Sequence, residues 1–219
     1  MIKAILFDLD GTLLDRDASL KQFLEDQYER FSEAFHHISK DTYMKRFIEL
    51  DAKGYVWKDK VYSQLIKEFN IAGLNYEQLL QDYLDHFQHH CVGFSNLHQT
   101  LEGLQQNGLK LGIISNGRCQ FQKNNIKGLR IEQFFNEILI SGCENLKKPD
   151  PEIFKRALAR MGVKAEETMF VGDHPLNDIK AARHTGMKTV WKEDLHWENA
   201  EASYVIEDLQ ELLIIAVDA

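Results

Sequence analysis

The sequence predicts an α/β fold, a doubly wound parallel sheet with an inserted helical domain. Three observations predict it. Short apolar runs at residues 2–7, 109–114, 137–140 and 168–172 read as buried strands, and most end in small polar or acidic residues. From Asn96 onward these runs alternate with helical periodicity, the pattern of a parallel sheet with right-handed crossovers. Between the first run and the second, from about Asp17 to His90, the periodicity is helical with almost no strand signal.

The first strand, Ile2-Lys3-Ala4-Ile5-Leu6-Phe7, runs into Asp8-Leu9-Asp10-Gly11-Thr12. It is short and has no helical stripe, so both faces are expected to be buried. Extended backbone through this stretch would point Asp8 and Asp10 to the same side, where like charges repel unless a cation or a proton intervenes. Gly11 permits the turn.

Leu20, Phe23, Leu24, Tyr28, Phe31 and Phe35 mark one apolar helix face. Asp41-Thr42 is read as the cap of a second helix carrying Tyr43, Met44, Phe47, Ile48 and Leu50, which Gly54 ends. A third helix from about Asp59 carries Val61, Leu65, Ile66 and Phe69, and a fourth from about Tyr76 carries Leu79, Leu80, Tyr83, Leu84 and Phe87. The expected division is therefore a core of residues 1–15 and 92–219 and a helical insert of residues 16–91. His86, His89, His90, Cys91 and His98 crowd together, but no second ligand pair accompanies them, and a solvated helix end accounts for them.

Leu97, Leu101 and Leu104 mark a helix that Asn107-Gly108 closes. The strand Leu109–Ile114 ends in Ser115-Asn116-Gly117. Glu137–Ser141 is the next strand. Lys147-Lys148-Pro149-Asp150-Pro151 then opens a helix through Ile153, Phe154 and Leu158, with Pro151 at a favoured first position. Thr168–Gly172 delivers Asp173, a helix from Asn177 follows, and Lys188–Trp191 and Tyr204–Ile206 complete the strands.

Composition limits the partners. A chain of 219 residues with 44% hydrophobic content holds one large domain, or a core with a small insert. A net charge of −8 argues against nucleic acid and anionic membranes, which need Lys/Arg surfaces. Three cysteines without Cys-x-x-Cys argue against a disulfide framework. The N-terminal run is broken by Asp8 and lacks a cleavage site, and Leu212–Val217 is too short to span a bilayer, so a cytoplasmic protein is expected. Monomer and homodimer both stay open.

In a doubly wound sheet the C-terminal strand ends meet at one crevice. Asp8, Asp10 and Asp173 would gather oxygen ligands suited to Mg²⁺. Thr12 and Ser115 offer hydroxyls to phosphate oxygens, and Lys148 offers a compact positive charge.

These four stretches resemble those of the haloacid dehalogenase-like hydrolases. Asp8-Leu9-Asp10-Gly11-Thr12 resembles the first motif and Ser115-Asn116-Gly117 the second. Lys148-Pro149-Asp150-Pro151-Glu152-Ile153-Phe154 resembles the third, and Gly172-Asp173-His174-Pro175-Leu176-Asn177-Asp178-Ile179 the fourth. The resemblance runs from residue 2 to about 195, and residues 16–91 sit where members with a helical cap carry theirs. It implies a phosphomonoester hydrolase acting on a small phosphorylated metabolite of nucleotide or sugar-phosphate type. Asp8 would be the nucleophile, forming an aspartyl-phosphate, and Asp10 would protonate the leaving group and then activate water. Asp8, the backbone carbonyl of Asp10, and Asp173 would hold Mg²⁺. Ser115, Asn116, Thr12 and Lys148 would bind phosphate, and Asp178 would orient Lys148 or support the metal. Asp10 must carry a proton at neutral pH, which the like charge of Asp8 favours.

Three alternatives compete with this reading. A carbon–halogen hydrolase typically lacks the second Asp of the first motif. A sugar-phosphate mutase needs cap groups for a bisphosphate, and none stands out. A non-catalytic phosphate binder would have no need of Asp8, Asp10, Ser115, Lys148 and Asp173 together. Leaving-group selectivity is expected from Ala52–Lys60, where Trp57 and Tyr55 could stack on a substrate ring and Lys53, Lys58 and Lys60 could meet its charge. The competing reading packs Trp57 in the helical core.

Overall fold

The computed structural model describes residues 1–218, and Ala219, the last residue of the expected core, lies outside them. These residues form two compact units, one of Met1–Asp15 with the chain from Val92 onward, the other of Arg16–Cys91.

The first unit is built on six strands. These are β1 (Ala4–Phe7), β4 (Lys110–Ser115), β5 (Glu137–Ile140), β6 (Thr168–Gly172), β7 (Lys188–Lys192) and β8 (Tyr204–Ile206), in the order β5-β4-β1-β6-β7-β8. Every pairing is parallel, and Leu6 faces Gly112 on one side and Phe170 on the other. The central strand is apolar because both of its neighbours and both of its faces are covered, and all four of its residues are buried. A separate antiparallel pair, β2 (Leu14–Asp15) with β3 (Val92–Gly93), sits where the chain leaves this unit and returns to it.

Helix α9 (Pro151–Met161) shows how the sheet is covered. Asp150 accepts a hydrogen bond from the Glu152 N–H, Pro151 occupies the first turn, and Gly162 closes the helix at φ 63°. Ile153, Phe154, Ala157, Leu158 and Met161 then form one buried face against Leu6, Ile114, Leu139 and Phe170. Phe154 meets Phe170 edge-on at 5.2 Å. Each such large side chain contributes about 1.5–3 kcal/mol by leaving water.

Helix α6 (Leu97–Gln106) matches the sequence reading. Helix α7 (Cys119–Gly128) and the short α8 (Ser141–Glu144) were not foreseen. The reason is chemical. The buried face of α7 carries Gln122 and Asn125 beside Ile126, so apolar periodicity does not reveal it. The cysteine reading is also corrected. Cys119 and Cys143 form a disulfide, with Cα atoms 5.1 Å apart. Counting cysteines missed it because the two lie 24 residues apart, at the start of α7 and in α8, the helices that follow strands β4 and β5, which are neighbours only in the folded sheet.

The second unit is helical, with α1 (Arg16–Arg30), α2 (Ser32–Phe35), α3 (Lys40–Asp51), α4 (Lys58–Phe69) and α5 (Tyr76–His86). The stripe expected to run unbroken to Phe35 is interrupted at Phe31, between α1 and α2. The cap of α3 is Ser39, which accepts from the Thr42 N–H, in place of the expected Asp41-Thr42. Asn75 and Gln78 make a reciprocal capping box at α5. The interior is aromatic, with Phe23, Phe35, Tyr43, Phe47, Tyr62 and Phe87 almost fully buried. Gln27 links several of its polar groups. Gln27 accepts from the hydroxyls of Tyr43 at 2.9 Å and Tyr62 at 3.0 Å and donates to Asp82 at 2.8 Å.

Lys58 corrects a further expectation. It does not offer its charge to a ligand, since its ammonium is buried on Asp51, which also accepts from Arg16 at 2.7 Å. In the histidine-rich stretch His86 Nδ1 lies 3.0 Å from the Asp82 carbonyl, and His90 Nε2 lies 3.0 Å from Asp26.

Candidate active site

Strand β1 ends at Phe7, and the Asp8 N–H still pairs with the Val171 carbonyl at 2.9 Å. Beyond it the chain folds into a tight turn, in which the N–H groups of Leu13 and Leu14 both donate to the Leu9 carbonyl. The position of Asp10 is therefore set by this turn, not by the strand alternation expected from sequence. Gly11 is required at its place. Its φ is 83°, and a Cβ there would come within 2.6 Å of Asp173 Oδ2.

The side chains of Asp8, Lys148 and Asp178 are buried together. The Lys148 ammonium donates to Asp8 Oδ1 at 2.5 Å and to Asp178 Oδ1 at 2.6 Å. Asp178 Oδ2 accepts from the His174 N–H at 3.0 Å, which ties it to the turn after β6. Asp173 is held from two sides, with Thr12 donating to its carboxylate at 3.3 Å and the Trp191 indole N–H to its carbonyl at 2.7 Å. Asn116 was expected to touch phosphate, yet both ends of its carboxamide engage the Lys148 backbone. It donates to the Lys148 carbonyl and accepts from its N–H, each at 2.9 Å. These two bonds tie the Lys148 backbone to the end of β4.

Carboxylate oxygens of Asp8, Asp173 and Asp178 all lie within 4.8 Å of one another. Three carboxylates thus face one ammonium, and the electrostatics show the imbalance. Burial pushes the Asp8 carboxyl up to about 6, even though Lys148 pulls the other way. Burial, with Asp8 and Asp178 nearby, pushes Asp173 up to about 8. Burial acts to lower the Lys148 ammonium, but Asp178 and Asp8 outweigh it and hold it above its ordinary value. The two ends of the Asp8–Lys148 pair therefore read in opposite senses, because one cation is shared between two anions and neutralises neither fully. A buried cluster of hard oxygen ligands with excess negative charge suits a small divalent cation such as Mg²⁺.

Sequence reasoning missed Gln122. It is buried in α7, and its Nε2 lies 2.5 Å from Asp10 Oδ2 and 3.0 Å from Ser115 Oγ. Its signal would have been its place seven residues after Ser115, on the inward side of the following helix. Of the expected residues, Asp8, Asp10, Thr12, Ser115, Asn116, Lys148, Asp173 and Asp178 all belong to the sheet unit. Trp57 belongs to the helical unit, where its half-buried ring lies edge-on to Tyr83 at 6.4 Å.

The pattern of the family described as haloacid dehalogenase-like hydrolase matches residues 5–192. A glyceraldehyde 3-phosphate phosphatase from Pyrococcus furiosus is 34% identical, over 97% of this chain and 92% of that protein. Among solved structures, a HAD phosphatase from Thermococcus onnurineus superposes with a TM-score of 0.68 at 31% identity, covering 98% of this chain and 97% of that one. The HAD-hydrolase YfnB from Bacillus subtilis, bound to magnesium, superposes with a TM-score of 0.75 at 26% identity, covering 98% of each chain.

Proposed function

The chain belongs to the haloacid dehalogenase-like hydrolases and is a phosphatase of small phosphorylated metabolites, and from that premise we propose a Mg²⁺-dependent phosphomonoester hydrolase working through an aspartyl-phosphate on Asp8. The observation that carries this reading is the buried Asp8 carboxylate at the end of β1, bonded to Lys148 beside Asp173 and Asp178. The substrate we propose is of sugar-phosphate or nucleotide type. The Pyrococcus relative, named for a phosphorylated three-carbon aldehyde, supports the sugar-phosphate side.

Asp8 supplies the attacking oxygen, forming a bond to phosphorus as the ester bond breaks. Asp10 gives its proton to the leaving oxygen, then takes one from the water that cleaves the Asp8 phosphate. Lys148, placed by Asn116 and Asp178, draws charge from the transferring phosphoryl oxygens, and Ser115 and Thr12 offer them hydroxyl bonds. Asp8, Asp173 and the Asp10 carbonyl would hold Mg²⁺, with Asp178 beside them. Its contribution is to neutralise charge on the phosphoryl group. Among the described residues no helix is long and apolar enough to cross a membrane, and the cytoplasm is the compartment we propose.

The test combines chelation with trapping. EDTA should abolish phosphate release from phosphomonoesters and added Mg²⁺ should restore it, and acid-quenched enzyme should carry phosphate on Asp8. Full turnover in metal-free buffer, or phosphate trapped on another residue, would refute the proposal.

A further inference from the structure

Gln122 lies in the second turn of α7 and is 2% exposed. Its amide nitrogen is within 2.5 Å of Asp10 Oδ2, 3.0 Å of Ser115 Oγ and 3.2 Å of the Asn116 carbonyl. Its amide oxygen accepts from Asn125 Nδ2 at 2.9 Å, and Asn125 is fully buried. The Asn116 carbonyl can only accept, which fixes the nitrogen on the side that also faces Asp10. The helix itself is anchored at its first residue by the Cys119–Cys143 disulfide.

We infer that Gln122 is a positioning residue for Asp10, fixing which of its two carboxyl oxygens exchanges the proton. The inference rests on Asp10 serving as acid and base. An N–H donating to Oδ2 makes the oxygen that accepts it the poorer place for a proton, which favours the acidic proton on Oδ1. In the first half-reaction the Oδ1 proton passes to the leaving oxygen as the ester P–O bond breaks and the bond from Asp8 to phosphorus forms. In the second, Oδ1 takes a proton from water as its oxygen attacks phosphorus, and the bond from phosphorus to Asp8 breaks to release inorganic phosphate. Removing Gln122 takes away the donor that tells the two oxygens apart.

The experiment compares single-turnover formation of the phosphoenzyme for an alkyl phosphate and for p-nitrophenyl phosphate, using Gln122→Met, which keeps length but lacks the donor. The alkyl ester needs the acid and the nitrophenyl ester hardly does. The alkyl rate should fall by about 10–100-fold, the scale of a misplaced catalytic group, and the nitrophenyl rate by less than about threefold, with little change in KM. In the Asp10→Asn background the same substitution should have no further effect. Equal losses for both esters, a rise in KM alone, or a full additional loss in the Asp10→Asn background would each overturn the assignment. Gln122→Asn, which keeps the amide but withdraws it by one methylene, serves in the same comparison if the Met variant does not fold. If Asp10→Asn leaves alkyl phosphate turnover intact, the acid–base reading of Asp10 itself falls. If Asp10→Asn is impaired while Gln122→Met is not, only the role of Gln122 does.

Discussion

Asp8→Asn should give a protein that is inactive and more stable. An amide is a poor nucleophile, so turnover should vanish. The stability gain comes from the cost of burying the charge. Asp8 rises from 3.8 to about 6 in the folded state, chiefly through burial. A shift of that size corresponds to about 3 kcal/mol against the ionised form. The pull of Lys148 is already contained in that shift, so the gain is at most about 3 kcal/mol. For a chain of this length that raises Tm by roughly 2–4 °C per kcal/mol. The sign depends on pH. A carboxyl whose folded value lies above its unfolded one favours folding at low pH, and that contribution is lost as pH rises through about 6. The gain from Asn should therefore be full at pH 8 and absent near pH 4. Lys148 keeps Asp178 at 2.6 Å, so no ammonium is stranded by the change. Thermal melts of both proteins in metal-free buffer at the two pH values are the assay. A variant that melts below the wild type at pH 8 would show that the Asp8–Lys148 pair stabilises the fold, and the argument from excess charge would fail.

Asp51→Ala should destabilise the helical unit by about 3–5 kcal/mol, because it leaves the buried Lys58 ammonium without its carboxylate, as measured by urea unfolding. Asp51→Leu with Lys58→Met should recover the part of that loss due to Lys58, though the Arg16 bond to Asp51 stays broken, and a double variant as unstable as the single one would contradict this account. Trp57→Ala should cut kcat/KM for the best natural substrate far more than for p-nitrophenyl phosphate if the ring contacts the leaving group. A uniform loss with a large fall in Tm would make Trp57 a packing residue beside Tyr83. Thiol titration of the unfolded chain should find one reactive group before reduction and three after. Three before reduction would exclude the Cys119–Cys143 bond.

What was legible in the sequence follows the chemistry that writes it. Ala4–Phe7 and Met169–Val171 are apolar because both sheet faces are covered, and Asp8 just after the first and Asp173 two residues after the second are visible against that background. Lys148 was legible through the Pro-Asp-Pro that opens α9. Helix α7 was not, because its inward face is polar, with Gln122 and Asn125 directed at other polar groups. The partners of Asn116 were hidden for a related reason. A carboxamide beside a hydroxyl reads as a ligand contact, and nothing local shows that the Lys148 backbone lies opposite it. The cysteine pair depended on two parallel strands becoming neighbours, information that no local spacing carries.

The small β2–β3 ladder has a bearing on modularity. Asp15 pairs directly with Val92, and Leu14 with Gly93, so the excursion through the helical segment begins and ends at one pair of residues. Its two ends are as close as those of a hairpin, and replacing the excursion by a two-residue turn would leave strand register unchanged. Because loop-closure entropy grows only slowly with length, the sheet unit is nearly indifferent to how much chain is spliced in at this point. Insertions of very different size could occupy the same junction without disturbing the strand ends that carry Asp8 and Asp173. The ladder makes this junction a socket, in which the reacting groups and whatever is spliced beside them can change independently.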